Sequence, residues 1–393
     1  MSQRRWVITW GAFISMGFLG MSRSFLGASL PAIRTTLDMT LVQAGTLGAL
    51  LQLGFSVMVL LGGPISDTLK KSFVLMLGLF LLGISLIFFG MAHWFWVSLV
   101  ATTVVGIGGG LIEASSNPLL IEIYPGREST VMNLHHFFFA VGSLAGPLIV
   151  GALLARSISW QWGYIGYGLA VLFALFLLLS QRISSPATGH PLDLRTLLKL
   201  MRQKTFLSLV FIIFCSAGAQ SGLIYWTVTF LKETHGFSIS LASLSLSLFL
   251  VCLAVGRLFA GYLLTKLNDT LYLVILFSLL LIFLSASIYA PAAWVIPLLG
   301  ACGLAMAGVF PTLLGMAGKA HPEKPGTAMG LIATAAGLGS TVIPWLMSLV
   351  SQLTTLRYGF LLFEVALAIS LIITCLNFGR LKRSAGGMKT RQA

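Results

Sequence analysis

Residues 51–92 read LQLGFSVMVLLGGPISDTLKKSFVLMLGLFLLGISLIFFGMA. Two long apolar stretches flank a short polar hinge that carries Asp67, Lys70 and Lys71, and no residue from Ser72 to Ala92 is charged. A helix needs about 20 mostly apolar residues to cross the hydrocarbon of a bilayer. Nothing here alternates polar and apolar as a barrel strand does over about ten residues. The stretch therefore reads as two membrane-spanning helices joined at one membrane face.

The rest of the chain repeats the pattern. Of 393 residues, 57% are apolar and 9% charged, and the mean hydropathy is +0.97. A soluble domain carries about 25% charged residues, so a cytosolic enzyme, a nucleic-acid binder and a disordered chain are excluded. Twelve apolar runs can be marked, at residues 7–30, 42–66, 72–92, 95–121, 131–154, 160–181, 206–230, 241–265, 271–290, 294–317, 327–350 and 357–379. The expected fold is all-α and integral to the membrane, with twelve spanning helices in two six-helix bundles. Cys215, Cys252, Cys302 and Cys375 lie singly in apolar runs, which suggests neither a metal site nor a disulfide framework.

Charge sets the orientation. With the N-terminus inside, 18 of the 24 Lys and Arg fall on the inner side; Arg34, Arg156, Lys232 and Arg357 fall outside, and Arg23 and Arg257 within spans. That bias places both termini in the cytoplasm, and the net charge of +14 needs no nucleic-acid partner. Trp94, Trp96, Trp160, Trp162 and Trp294 cluster near span ends as interfacial anchors do. The first run follows Arg4 and Arg5 and is read as an uncleaved helix. The longest polar break, 182–204, carries Leu194, Leu197, Leu198 and Met201 at helical spacing, the pattern of an amphipathic helix on the inner surface. The expected organisation is a bundle over 1–181, this linker, a bundle over 205–380 and a basic tail over 381–393.

An internal repeat supports two halves. Gly110-Leu111-x-x-Ala114-x-x-x-Pro118-x-Leu120 returns as Gly303-Leu304-x-x-Ala307-x-x-x-Pro311-x-Leu313, 193 residues on. Met132-x-Leu134 with Gly142-Ser143-x-x-x-Pro147 returns as Met329-x-Leu331 with Gly339-Ser340-x-x-x-Pro344, 197 residues on. Parallel six-span repeats suit a transporter that works by alternating access.

Intramembrane charges mark the candidate site, because each costs about 2.5–3.5 kcal/mol at a span centre and so faces a cavity or a partner. Four qualify: Arg23, Glu113, Arg257 and Glu364. Glu113 is expected to carry a coupling proton, since a carboxyl in low dielectric favours its protonated form. His135 and His136 on the next span lie within reach and titrate near neutrality. Asn117 shares the face of Glu113 one turn on and offers an amide to solute hydroxyls. Arg23 lies roughly 25 Å along the first span, above Glu113, where direct pairing is not expected. Its guanidinium would either bind an anionic or strongly hydrogen-bonding solute or anchor the span end. Gln220, Tyr225 and Trp226 combine amide, hydroxyl and indole, a set that suits the apolar face and polar rim of a sugar. Asp67, Lys70, Lys71 and Arg257 are read as an inner gate, and Glu364 as a group near the outer end, seven residues past Arg357, where pairing or a solvated end is expected.

Gly63-Pro64-Ile65-Ser66-Asp67-Thr68-Leu69-Lys70-Lys71 resembles the Gly-x-x-x-Asp-Arg-x-Gly-Arg-Lys loop signature of the major facilitator superfamily, with Thr68 and Leu69 in place of the Arg and the second Gly. Glu113-Ala114-x-x-Asn117-Pro118, Asn133-Leu134-x-x-x-Phe138 and Gly142 are similar to the fucose/glucose:proton symporters of that superfamily. So are Gly256-Arg257-x-x-x-Gly261 and Ala307-Gly308-Val309-Phe310-Pro311. The resemblance implies proton-coupled sugar uptake, with an acid at the Glu113 position taking part and Asn133 among the solute-binding residues. The chain departs from it in carrying Arg23 and no acid in span one, and Gln220 where related porters often carry Glu. Gly142-x-x-x-Gly146-Pro147-x-x-x-Gly151 also resembles the antiporter motif of drug exporters, which implies the alternative of proton-driven efflux. No HExxH, GxSxG or Walker pattern is present, so neither an intramembrane enzyme nor an ATP-driven pump is expected. The expected partners are a small solute, protons and the bilayer, with no cofactor, in a monomer of the cell (inner) membrane.

Overall fold

The computed structural model describes residues 3–125, 127–179, 200–321 and 325–381. They form thirteen α-helices and no strand. Six belong to the first half of the chain: α1 (Gln3–Thr36), α2 (Leu41–Thr68), α3 (Lys71–Gly90), α4 (Phe95–Ile123), α5 (Glu128–Ala155) and α6 (Trp160–Leu179). Seven follow: α7 (Lys204–His235), α8 (Ile239–Lys266), α9 (Asp269–Tyr289), α10 (Ala292–Met306), α11 (Val309–Ala320), α12 (Pro325–Leu353) and α13 (Leu356–Leu376). Residues 182–199 of the expected linker, with Leu194, Leu197 and Leu198, and the tail beyond Leu381 lie outside the described residues.

Hydropathy explains the elements. Eleven segments are long and apolar enough to cross a membrane, with Ala292–Ala320 counted as one. The helix missing from that set is α1, whose 34 residues suffice in length. Its apolar content is diluted by Arg23 and by Ser15, Ser22, Ser24 and Ser29, which are turned inward and buried. Helix ends are fixed by local polar groups. Thr40 and Gln43 form a reciprocal capping box on α2, at 3.1 and 2.9 Å, and the Asn268 carboxamide accepts from the Leu271 N–H on α9, each satisfying an otherwise orphaned donor.

Pro118 and Pro311, the paired prolines of the repeat, behave differently. Helix α4 runs unbroken through Pro118, whereas the tenth span splits at Ala307 and Gly308 into α10 and α11. A proline removes the hydrogen bond to the carbonyl four residues back. In the second half Gly308 sits in that weakened turn and gives way.

Contacts divide the chain into two compact units, Met1–Pro191 with Thr227–Ser247, and Leu192–Trp226 with Leu248–Ala393. In the first, α1 crosses α5 so closely that a Cβ on Gly142 would run into the Gly17 carbonyl, and the Ser143 hydroxyl donates to the Gly20 carbonyl at 3.1 Å. In the second, α7 and α12 repeat this contact. A Cβ on Gly339 would meet the Phe214 carbonyl, and the Ser340 hydroxyl donates to the Ala217 carbonyl at 3.2 Å. All four positions are shifted by 197 residues. The crossing of α2 and α4 at Gly62 and Ala114 returns where Gly256 of α8 meets Ala307, the residue that ends α10. The sequence repeat is therefore a structural one, built on backbones brought together by small residues.

This packing predicts that Gly142→Ala destabilises the protein by about 1–3 kcal/mol through overpacking. Gly315→Ala, where an added methyl meets nothing within 4 Å, should not. Thermal midpoints of the two purified variants check this.

Candidate functional site

The first unit gathers the intramembrane polar groups of its half. Glu113 lies within α4, half-buried, and its Oε1 accepts from the Asn117 amide nitrogen at 3.1 Å. One helical turn separates the two, so the bond follows from the i, i+4 spacing. The remaining Asn117 acceptor, Oδ1, is buried without a hydrogen-bond partner. Arg23 on α1 holds its guanidinium carbon 4.0 Å from the centre of the Phe55 ring on α2 and 5.8 Å from that of Phe139 on α5. Both are within cation–π range. Its Nε is buried and makes no hydrogen bond. Arg23 and Glu113 form no ion pair among the described residues.

The histidines separate. His135 is fully buried and shares a hydrogen bond between its Nε2 and the Ser116 hydroxyl on α4, at 3.0 Å; its Nδ1 has no partner. Ser116, three residues past Glu113, is thus the contact expected of Glu113 itself. His136 is exposed, its ring centre 5.8 Å from that of His135, and Asn133 is exposed one turn earlier.

The second unit holds the other candidates. Gln220 on α7 is half-buried. It stands 197 residues after Arg23, the offset that relates the two glycine-serine crossings, so Arg23 and Gln220 occupy equivalent places in the two repeats. Trp226 departs from the expectation of a solute-facing or interfacial ring. It is fully buried, and its indole N–H donates to the Pro344 carbonyl on α12 at 3.3 Å. Tyr225 is also buried, edge-on to Trp226. The indole is thus committed to packing α7 against α12.

Of the residues expected at the inner gate, Lys71 is 2% exposed and pairs with Glu122 at 2.5 Å, tying the start of α3 to the end of α4. Lys70 is exposed, Arg257 makes no ion pair among the described residues, and the side chain of Asp67 lies outside the described residues. Glu364 also departs from expectation. It does not pair with Arg357 but sits within α13 beside Ser285 of α9 and Cys302 of α10, with its Oε1 buried and unpartnered. Within the first unit, Arg34 of α1 pairs with Glu233 at the end of α7. The Ser240 hydroxyl donates to the Gly151 carbonyl at 3.0 Å. Gly151 and Gly142, two glycines of the exporter-like motif, are thereby accounted for as close-packing positions.

Phe55, Phe139, Ser116 and Glu122 were not singled out in the sequence. Only Glu122 carried a usable signal: consecutive spans run antiparallel, so the start of α3 and the end of α4 meet at one face, and a charge on each invites a pair.

The model of the Major Facilitator Superfamily matches residues 12–344 and again 241–391. The chain belongs to that superfamily and is one of its multi-pass membrane transporters. An uncharacterized MFS-type transporter, YfkL of Bacillus subtilis (strain 168), is 20% identical over 371 residues, covering 91% of this chain and 92% of its own. A bacterial homolog of the human lysosomal transporter Spinster, in an inward-facing and occupied conformation, superposes with a TM-score of 0.84 at 16% identity, over 98% of this chain and 99% of that one. A D-xylose-proton symporter superposes with a TM-score of 0.78, again at 16% identity, over 97% and 99%.

The Lys71–Glu122 pair predicts a non-additive pair of variants. Removing Glu122 leaves the buried Lys71 charge less well compensated, whereas removing Lys71 leaves Glu122 in contact with its surroundings, so the first loss is the larger. Glu122→Gln and Lys71→Met should each lower the thermal midpoint, and the double variant should recover much of the loss. Additive losses would show that the two charges do not depend on each other.

Proposed function

We propose that this transporter moves a small polar solute, a sugar or sugar derivative, by proton-coupled symport with alternating access. It would reside in the cell (inner) membrane with both termini cytoplasmic and work as a monomer. The observation that carries the reading is Glu113: a half-buried intramembrane carboxyl with a hydrogen-bonding amide one turn away and no ion-pair partner among the described residues. A carboxylate held only for structure would be neutralised by a close cation, as Glu122 is by Lys71.

Asn117 suits both protonation states. Its N–H groups serve the ionised carboxylate, and its oxygen, turned over by rotation of the amide, accepts from the protonated acid. In this reading Glu113 binds and releases the proton, Asn117 positions it, and His135 with Ser116 supplies the polar wall behind it. His136 and Asn133, exposed on α5, extend that polar surface. Arg23 and Gln220, at equivalent places in the two repeats, each offer solute-directed donors. The resemblance to sugar:proton symporters in spans four and five, and the fold shared with a D-xylose-proton symporter, support sugar as the solute class.

The test is counterflow of labelled sugars and sugar acids into proteoliposomes, with and without a pH gradient, followed by external alkalinisation for each transported solute. Wild type should alkalinise the medium on solute addition. Glu113→Gln should still exchange solute but lose the proton signal and accumulation against a gradient. A Glu113→Gln protein that moves protons with solute would remove Glu113 from this role.

A further inference from the structure

The half of the site built around Arg23 has a property that a neutral sugar does not need. Phe55 and Phe139 both lie within cation–π range of the guanidinium. A cation–π contact occupies none of the guanidinium N–H donors, so the planar fork of donors stays available for recognition. A planar carboxylate matches that geometry with two parallel hydrogen bonds. The Nε is buried and unpartnered, and no described carboxylate pairs with Arg23. A permanent cation in hydrocarbon without a pairing anion is costly, and here it is kept where its repeat equivalent is the neutral Gln220.

We infer that Arg23 is the binding group for a carboxylate on the transported solute, and that protonation of Glu113 opens it to that anion. The inference rests on the proton-carrying role of Glu113 proposed above. The charges account for the linkage. With Glu113 ionised, its charge and that of Arg23, both within the first unit, sum to zero. An arriving carboxylate would leave one uncompensated negative charge in a low dielectric, which is unfavourable. A proton on Glu113 restores neutrality, so anion and proton load together. The proton forms an O–H bond on the Glu113 carboxyl and leaves again to water on release. One anion with one proton carries no net charge across the bilayer.

Among the described residues, the other titratable side chains of the surrounding spans are bonded elsewhere or exposed. Helix α2 carries none between Leu41 and Gly62. On α5, His135 is bonded to Ser116 and His136 is exposed. On α6, Tyr164 pairs with Ser29 and Tyr167 donates to the Phe18 carbonyl. On α3 and α4, Lys71 and Glu122 are paired with each other.

The test uses the purified full chain and matched probes that differ in a carboxylate: D-gluconate and D-glucuronate against D-glucose, and D-galacturonate against D-galactose. Thermal midpoints are recorded over a probe titration at about pH 5.5 and about pH 8. At least one acid should stabilise wild type at the lower pH where its neutral counterpart does not, and its apparent affinity should fall roughly tenfold or more at the higher pH. Arg23→Gln should abolish the effect; Arg23→Lys, which keeps the charge but loses the fork, should retain it weakly and serves if the Gln variant does not fold. Glu113→Gln should bind the acid equally at both pH values. The inference is overturned if a neutral sugar binds as well as its acid, if no acid binds at either pH, if acid binding survives Arg23→Gln, or if Glu113→Gln keeps the wild-type pH dependence. A neutral sugar bound in preference, with proton movement still lost in Glu113→Gln, would overturn the anion alone and leave the symport reading standing.

Discussion

Hydrocarbon supplies neither hydrogen bonds nor charge screening, so every ionisable group in a span must find its partner within the protein. This protein meets the requirement in two ways. Lys71 and Glu122 neutralise each other at close range. Arg23, Glu113 and His135 are met only partly, by aromatic rings, an amide and a hydroxyl, with Arg23 Nε, Asn117 Oδ1 and His135 Nδ1 left without partners. Incomplete satisfaction of buried polar groups is costly in a packed interior. It is intelligible where solute, proton or water completes the set during a cycle.

The repeat shows which parts of the design are scaffold. The Gly142-Ser143 crossing with α1 and the Gly339-Ser340 crossing with α7 reproduce one another down to the serine-to-carbonyl hydrogen bond. The ionisable groups are not duplicated. The 197-residue offset takes Arg23 to Gln220 and His135 to Ile332, and the 193-residue offset takes Glu113 to Met306 and Asn117 to Phe310. The two halves share their helix crossings, and their intramembrane charges stand at different positions. Glu364, the intramembrane acid of the second half, lies instead on α13 beside Ser285.

Much of this was legible in the sequence because the signals are local. Apolar runs of about 20 residues, basic hinges and a repeated Gly-Ser-x-x-x-Pro need no knowledge of distant contacts, and they led to the membrane fold. The site was legible only as a set of residue types. That Glu113 and Asn117 bond follows from their spacing, but Arg23 meeting Phe55, His135 choosing Ser116 over Glu113, and Trp226 donating to Pro344 are all long-range choices fixed by how helices rotate about their axes. Pro118 and Pro311 carry the same point: identical in the repeat, they differ in outcome because of the turn that precedes each.

The central claim is that the polar face around Glu113 meets water from both sides of the membrane in turn. The most direct measurement places a single cysteine at Asn117 in a protein whose four native cysteines are alanine, and applies a membrane-impermeant thiol reagent to right-side-out and to inverted vesicles. Alternating access predicts modification from each face. Labelling from one face alone, or from neither, would contradict the account.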